Sequence, residues 1–241
     1  MKTHRNSRAL FAVLLAGLVL GTSLQAAPAA QPTPHALVEQ VTERVLAIIE
    51  DAKDDEQPDQ EQFYREVDAA IDPLVDFDSF ARSVMGRYAS KRAYDALPDA
   101  AAKQAFRARV TRFSRQFRDG LVKTYASGLL SFDGERVVVE PPRADFDPAV
   151  ESNVYVVQRI YGQREQPYVI QYKMRKDRDG AWKLRNVVLE GINLGLTYRN
   201  QFAAAVDLYN GDVDKAVDNW TVEPGTPKNG AVAADDEADI D

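Results

Sequence analysis

The first half of the chain repeats apolar residues at every third or fourth position, which is the spacing of amphipathic helices. Residues that favour helix ends flank these stripes: Thr33 and Asp99 can cap two of them, and Pro73 and Gly86 can terminate two others. The mostly acidic run 50–61 between the first two stripes is expected to be a solvated loop. The pattern predicts four helices, at about 34–49, 59–72, 76–85 and 99–129.

The second half changes to an alternation of period two, rich in Val, Ile and Tyr, which is typical of strands. Asp177 to Gly180 reads as a hairpin turn, so the strands on either side of it should be antiparallel. Asn193 opens a further helical stripe, and Gly211 precedes a final short one. Helices followed by strands favour an α+β fold, with a helical layer covering one face of an antiparallel sheet. The predicted strands are 136–140, 152–161, 167–176 and 181–190.

Residues 1–26 have the layout of a secretory signal peptide. A basic start is followed by the apolar run Ala9 to Leu20, and we expect cleavage after Ala26. The apolar run holds about 12 residues, whereas a membrane-spanning helix needs about 20, so an uncleaved anchor is the less favoured alternative. We expect the mature chain to be soluble, because no later segment has enough uninterrupted apolar residues to cross a bilayer.

Composition and charge narrow the class of protein further. The 241 residues contain no cysteine, which excludes disulfides, cysteine-ligated metals, a thiol nucleophile and a lipid-modified N-terminal cysteine. The net charge of -7 argues against nucleic-acid binding. The arginines of the fourth helix are expected to form a solvated face. We predict a linker at 27–35, a single domain at 36–222 and a disordered acidic tail at 223–241, where large apolar residues are almost absent.

A search for catalytic or metal-binding motifs finds almost nothing. The only histidines are His4 and His35, and His4 would leave with the signal peptide, so neither a His-containing triad nor a multi-histidine metal site can form. There is no Walker loop, dinucleotide-binding motif or nucleophile elbow. Glu190, near Tyr198 and Arg199, is the most suggestive polar residue, and a structural ion pair or helix-start contact is the favoured interpretation. Apolar stripes dominate instead, and periodicity cannot separate a filled core from a cavity.

The run 187–202, VVLEGINLGLTYRNQF, resembles the signature of the MlaC, or toluene-tolerance, family of periplasmic phospholipid carriers. That signature is V-x-V-E-G-[VI]-[SN]-L-x-x-x-Y-R-x-Q-F, and Leu189 takes its second Val position. Weaker matches lie at 73–77, 84–88 and 167–172, in the same order along the chain as in the family, so the resemblance covers about 36–220. The acidic insert at 51–60 and the acidic tail depart from the family. The matched signature residues are Glu190, Gly191, Asn193, Tyr198, Arg199 and Gln201.

The resemblance implies a curved sheet of four or five strands and a helical layer enclosing an apolar cavity, of the NTF2/cystatin-like kind. It implies a monomeric, non-enzymatic periplasmic carrier of diacyl phospholipid with neither cofactor nor metal. Its partners would be the outer-membrane MlaA–porin complex and the inner-membrane ABC transporter that contains MlaD, and its role the maintenance of outer-membrane asymmetry. The signature residues are expected to hold the fold rather than touch lipid.

Apolar positions in the matching elements are predicted to line the cavity. One alternative is a small isomerase- or dehydratase-like enzyme on a similar cone of helices and sheet, which would need a buried Asp or Tyr dyad. Another is a periplasmic adaptor with a filled core. The predicted lining residues are Val84, Phe106, Phe113, Leu121, Tyr125, Val154, Val156, Ile170, Tyr172, Val188 and Phe202.

Overall fold

A computed structural model of the chain describes residues 31–57, 59–130, 134 and 136–223. The predicted signal peptide and its cleavage site lie outside these residues, as do residues 27–30 of the predicted linker and all of the predicted tail beyond Glu223. The described residues from Pro32 onwards belong to one compact unit. Among the described helices, none is both long enough and apolar enough to cross a membrane.

Five helices form the first half, and their starts follow the predicted caps. Thr33 Oγ1 accepts a hydrogen bond from the backbone N–H of Ala36 (3.2 Å), and the Asp99 carboxylate accepts one from that of Ala102 (2.7 Å). A short 3₁₀ turn over 86–89 follows the third helix. The helices are α1 Pro34–Asp54, α2 Gln60–Ile71, α3 Phe77–Met85, α4 Lys91–Asp95 and α5 Ala100–Leu129.

Two helical segments differ from the sequence-based prediction. Helix α1 continues to Asp54, so the start of the run 50–61 is helical rather than loop. The reason is that Ala52 packs against the apolar residues of α1 and α2, while the acidic residues around it stay exposed. Helix α4 was not predicted because it has no apolar stripe; Ser90 caps it by accepting a hydrogen bond from the N–H of Ala93.

The second half forms a five-stranded, fully antiparallel sheet with the strand order β1-β2-β3-β4-β5. The four long strands match the predicted ones, and the two-residue β5 is an addition. Helix α6, Leu194–Leu208, follows β5 directly, and α7, Val213–Asp218, ends the described fold. The prediction of an α+β fold with helices on an antiparallel sheet is therefore confirmed. The strands are β1 Arg136–Val139, β2 Asn153–Tyr161, β3 Tyr168–Lys176, β4 Trp182–Leu189 and β5 Ile192–Asn193.

A β-bulge in β4 decides which residues of that strand face the helices. Met174 pairs with Leu184 but Lys173 pairs with Asn186, so Arg185 is an extra residue on β4. Trp182 and Leu184 face the helices before the bulge, and the alternation then changes phase. After it, the helix-facing positions are Val187 and Leu189, which lie opposite Tyr172 and Ile170. We call this side of the sheet the inner face and the opposite side the outer face.

Three separate groups of buried apolar residues hold the layers together. The α5–α6 cluster joins α3, α5, α6 and α7, and its largest members are Met85, Phe113, Phe117, Tyr198 and Phe202. The α1–sheet cluster joins α1 to the inner face through Leu37, Val38, Val41, Val154, Val156, Met174, Trp182 and Leu184. The α1–α2 cluster joins these two helices to the end of α5 through Ile49, Phe63, Val67, Val122 and Ala126.

Ion pairs over long sequence separations tie α5 to its neighbours. Asp214 of α7 binds the guanidinium groups of Arg109 (2.5 Å) and Arg112 (2.8 Å). Arg118 binds Asp68 of α2 at 2.7 Å. The expectation that the arginines of this helix are merely solvated is therefore wrong for these three, because acidic residues of α2 and α7 lie against their side of the helix.

Candidate functional site

The predicted lining residues on the helices lie in or beside the α5–α6 cluster. Leu121 and Tyr125 lie at its margin and are half-buried, one turn apart on α5. The others are almost completely enclosed by protein, so they present little or no surface to a ligand. These enclosed residues are Val84, Phe106, Phe113 and Phe202.

The predicted lining residues on the sheet do not share one face. Val156 is fully buried in the α1–sheet cluster and Val154 nearly so, and Tyr172 lies at the margin of that cluster. Ile170 is half-buried on the inner face, opposite Leu189. Val188 is paired with the exposed Gln171 and projects from the outer face, because the bulge changes the phase of β4. Val188 therefore lies on the opposite face of the sheet from Val154, Val156, Ile170 and Tyr172.

The three clusters meet at apolar residues that remain accessible. Val45 and Ile71 each border both the α1–sheet and the α1–α2 clusters, and Val187 borders the α1–sheet and α5–α6 clusters, yet all three are only half-buried. A domain of this size usually has one contiguous core. The described residues therefore form three clusters whose junctions keep accessible apolar surface.

More apolar surface of the same kind continues along the inner face beyond this junction. Ile160, Ile170 and Leu189 are half-buried there and pack against none of the three clusters. The sequence analysis missed Ile160, Leu189 and Val187 as lining residues. Val45 and Ile71 lie in the apolar stripes of the first two predicted helices, but a stripe tells only which side of a helix points inward.

Tyr172 carries a polar group at the margin of the α1–sheet cluster. Its hydroxyl donates a hydrogen bond to Oε1 of Gln158 (2.8 Å), and Nε2 of Gln158 donates one to Oγ1 of Thr42 on α1 (2.6 Å). Desolvation by the surrounding protein raises the pKa of Tyr172, although its side chain keeps accessible surface. The polar atoms of Tyr172, Gln158 and Thr42 are thus bonded to one another beside this accessible surface.

The signature residues Glu190 and Gly191 form the turn between β4 and β5. Both have positive φ, of 49° and 80°, as a two-residue hairpin turn requires. The Glu190 carboxylate accepts a hydrogen bond from the N–H of Val169 at 2.7 Å and pairs with Arg164 at 3.3 Å. Glu190 thereby fastens the turn to β3, which agrees with the structural ion pair favoured from the sequence.

The remaining signature residues lie at the start of α6 and along it. Asn193 caps the helix by accepting a hydrogen bond from the N–H of Leu196 at 3.0 Å. Arg199 donates to the carbonyl oxygen and to Oγ of Ser83 on α3, both at 3.0 Å. Tyr198 is fully buried, and Gln201 is half-buried on the same helix. The contacts of Asn193, Arg199 and Tyr198 are all within the protein.

A hydrogen-bonded tyrosine pair joins α5 to α6. The hydroxyl oxygens of Tyr125 and Tyr198 are 2.6 Å apart, and burial, together with the hydrogen bond to Tyr125, raises the pKa of Tyr198. A raised pKa keeps the phenol neutral, the opposite of what a tyrosinate base would need. Within the described part of the chain, no group of three or more acidic or histidine side chains could hold a metal ion.

A polar cleft of about 470 Å³ lies beside α3 and α5. Two of its lining residues, Arg118 and Asp72, pair with each other, while Asp76 pairs with Arg185 and Lys183 donates to the carbonyl oxygen of Pro73. The cleft thus offers a charged surface, in contrast to the accessible apolar surface along the inner face of the sheet.

Comparisons with known proteins agree with this geometry. A family model described as MlaC protein matches residues 39–221. The chain is 28% identical over 214 residues to the toluene tolerance protein ttg2D of Pseudomonas putida, covering 89% of this chain and 92% of that protein. Its fold is similar to that of a phospholipid-binding protein from Ralstonia solanacearum solved in complex with a phospholipid, with a TM-score of 0.61 and 25% identity over 78% of this chain and 94% of the other. The resemblance seen at 187–202 is therefore confirmed, and the chain belongs to the MlaC family.

Proposed function

We propose that this protein is a non-enzymatic carrier that binds diacyl phospholipid and moves it across the periplasm between the outer and inner membranes. The observation that carries the proposal is the accessible apolar surface at the junction of the three clusters and along the inner face. A space bordered by apolar side chains suits acyl chains and excludes charged substrates. The phospholipid bound to the similar Ralstonia solanacearum protein supports the same assignment.

The acyl chains would lie between the inner face and the helices. Of the residues predicted from the sequence, those that keep accessible surface at the cluster margins or on the inner face are Leu121, Tyr125, Ile170 and Tyr172. We add the residues at the cluster junctions and on the inner face: Val45, Ile71, Ile160, Val187 and Leu189. The enclosed residues Val84, Phe106, Phe113, Val156 and Phe202 would support this lining from behind.

The energetics explain why a carrier of this kind is needed. Burying one methylene group is worth about 0.8 kcal/mol, so two chains of about 16 carbons disfavour the aqueous phase by roughly 25 kcal/mol. Unassisted crossing of an aqueous gap is therefore extremely slow. A dry apolar cavity removes this barrier without chemistry, and transfer between membrane and cavity is then nearly thermoneutral. The phosphate headgroup should stay at the mouth, because an unpaired charge is costly to bury.

The cellular setting follows from the same proposal. Residues 1–26 would direct the chain to the periplasm, and the absence of cysteine leaves it without an acyl anchor. Lipid would be exchanged with an outer-membrane MlaA–porin complex and an inner-membrane transporter containing MlaD. The acidic balance of the chain weakens its attraction to anionic membranes, which suits a protein that must leave them.

Native mass spectrometry of the purified protein, followed by lipid extraction, tests the proposal. We expect a mass excess that matches diacyl phospholipid and disappears on extraction under denaturing conditions. A protein that is lipid-free and takes up no phospholipid from vesicles would contradict the carrier and favour an adaptor with a filled core. A bound small polar metabolite would favour the enzyme.

A further inference from the structure

The outer face of the sheet carries a group of cations with few acidic neighbours. Lys173 lies across from Tyr155 with its ammonium 5.9 Å from the ring centroid, and Arg136 lies 4.2 Å from the ring centroid of Tyr161. Tyr155 is 46% exposed, and Arg136 and Arg175 are exposed as well. We call this surface the outer basic face, and it consists of Arg136, Tyr155, Arg159, Tyr161, Lys173 and Arg175.

One of the four cations on this face forms an ion pair within the described residues. Arg159 pairs with Glu140 at 2.5 Å, whereas Arg136, Lys173 and Arg175 form no ion pair among the described residues. The chain as a whole has 37 acidic and 30 basic residues, so a group of four cations on one face contrasts with the overall charge. The apolar outward positions between them, Val157 and Val169, belong to none of the three clusters, so no described helix packs over this face.

The chain itself supplies a segment of complementary charge. Residues 235–241, DDEADID, place five carboxylates in seven positions. The preceding stretch 224–234 has prolines, glycines and one lysine, and no large apolar residue except Val232. Its composition is that of a linker that presents a charged end.

The length of this linker is sufficient to reach the outer basic face. The described fold ends just after Val222, which packs against Gly120 of α5 in the helical layer. The 11 residues 224–234 can span up to about 37 Å when extended. A domain of about 190 residues has a radius of gyration of about 16 Å. The extended linker is therefore long enough to run from the helical layer, around the edge of the domain, to the outer face of the sheet.

We propose that residues 235–241 bind the outer basic face within the same molecule. Tethering gives the segment a millimolar effective concentration at that face, so weak charge pairs suffice for occupancy. The consequence is a cover that competes with other anions, in particular with anionic lipid headgroups. The segment then keeps the sheet from adhering to a membrane surface. This inference is independent of what the apolar space between sheet and helices binds.

Amide NMR spectra of the full mature chain test the contact directly. The variant neutralises the segment at constant length, with Asp235→Asn, Asp236→Asn, Glu237→Gln, Asp239→Asn and Asp241→Asn. We expect its amide signals at 155–159 and 171–175 to shift at about 0.01 M salt, and the difference to vanish at about 1 M, where the Debye length is about 3 Å. Signals that do not change at low salt, or that change only on another surface, overturn the proposal.

Binding to vesicles of phosphatidylglycerol and phosphatidylcholine tests the consequence. The neutralised variant should bind these vesicles at least about fivefold more tightly than the unchanged chain, because exposing even one cation to an anionic surface raises the affinity by about that factor. Adding Lys173→Glu and Arg175→Glu should abolish that gain, whereas the matched changes Arg65→Glu and Arg92→Glu, at exposed cations of α2 and α4, should not. Equal binding of the neutralised and unchanged chains, or equal effects of the two charge reversals, would overturn it.

Discussion

A carboxylate placed at Ile170 gives a direct test of the apolar space. Ile170 is half-buried on the inner face of the central strand β3 and packs against none of the buried clusters. In the lipid-free protein, Ile170→Asp should therefore find water and cost little stability. In the lipid-bound protein, the same carboxylate would lie against acyl chains. We expect the variant to fold and to bind phospholipid poorly.

The size of the effect follows from the least costly way to accommodate the new side chain. Protonating an aspartate whose ordinary pKa is near 4 costs about 4 kcal/mol at about pH 7, since each pKa unit corresponds to about 1.4 kcal/mol. Keeping it ionised beside acyl chains costs more. The affinity for phospholipid should therefore fall by about a thousandfold at neutral pH. It should recover near pH 4, where the carboxyl is protonated without cost.

Val188 provides a matched control on the neighbouring strand. It is a half-buried valine of β4 that projects from the outer face, so Val188→Asp introduces the same charge on the other side of the sheet. Uptake of a fluorescent phospholipid from vesicles and lipid counting by native mass spectrometry give the affinity, and urea denaturation gives the stability. We expect Val188→Asp to retain uptake.

Two results would refute this reasoning. Normal uptake by a folded Ile170→Asp protein would mean that no acyl chain approaches the inner face. Cooperative unfolding of Ile170→Asp by more than about 3 kcal/mol would mean that Ile170 is packed core, as in the adaptor alternative. A matching loss of uptake in Val188→Asp would place the lipid on both sides of the sheet or on neither.

Three further predictions concern the supports of the site. Tyr125→Phe leaves the fully buried hydroxyl of Tyr198 without its partner at 2.6 Å, so urea denaturation should show a loss of about 1–3 kcal/mol, and the double Tyr→Phe variant should lose less than the sum of the single variants. The hydrogen bond from Arg109 lowers the pKa of Asp214 below its ordinary 3.8, so its contribution to stability is present at neutral pH and lost as the pH falls below about 4; Asp214→Asn should be less stable at pH 7 and show a smaller further loss on acidification. Gly120→Ala would place a methyl carbon 2.6 Å from Cγ2 of Val222, so it should cost about 1–3 kcal/mol, and adding Val222→Ala should relieve that cost; an unchanged melting temperature for Gly120→Ala would contradict the contact.

Much of the fold could be predicted because the signals are local. Thr33, Asp99 and Asn193 cap their helices because each side-chain oxygen bonds an N–H only three residues away. The hairpin at 177–180 follows from the residue types within the turn itself. Each of these interactions spans a few residues, so the information needed to recognise it is contiguous in the chain.

Contacts between distant parts of the chain could not be predicted from the sequence. The pairing of Arg109 with Asp214 joins residues more than a hundred positions apart, and no local pattern distinguishes such an arginine from a solvated one. The resemblance at 187–202 identified the family but not which apolar side chains are accessible. Val84 and Tyr125 follow equally regular stripes, yet one is enclosed and the other keeps accessible surface.

By itself, the sequence determined the order and nature of the helices and strands, the antiparallel α+β class and the family, because these follow from local propensity, alternation and a contiguous motif. Only the tertiary structure decided the side of the sheet on which each residue of β4 lies. The bulge at Arg185 inserts one residue against β3 and reverses the alternation after it, which moves Val188 outward and Val187 inward. Only the tertiary structure decided that the buried residues form three clusters with accessible margins instead of one continuous core. The sequence could not decide this, because the packing between layers depends on how whole layers approach one another.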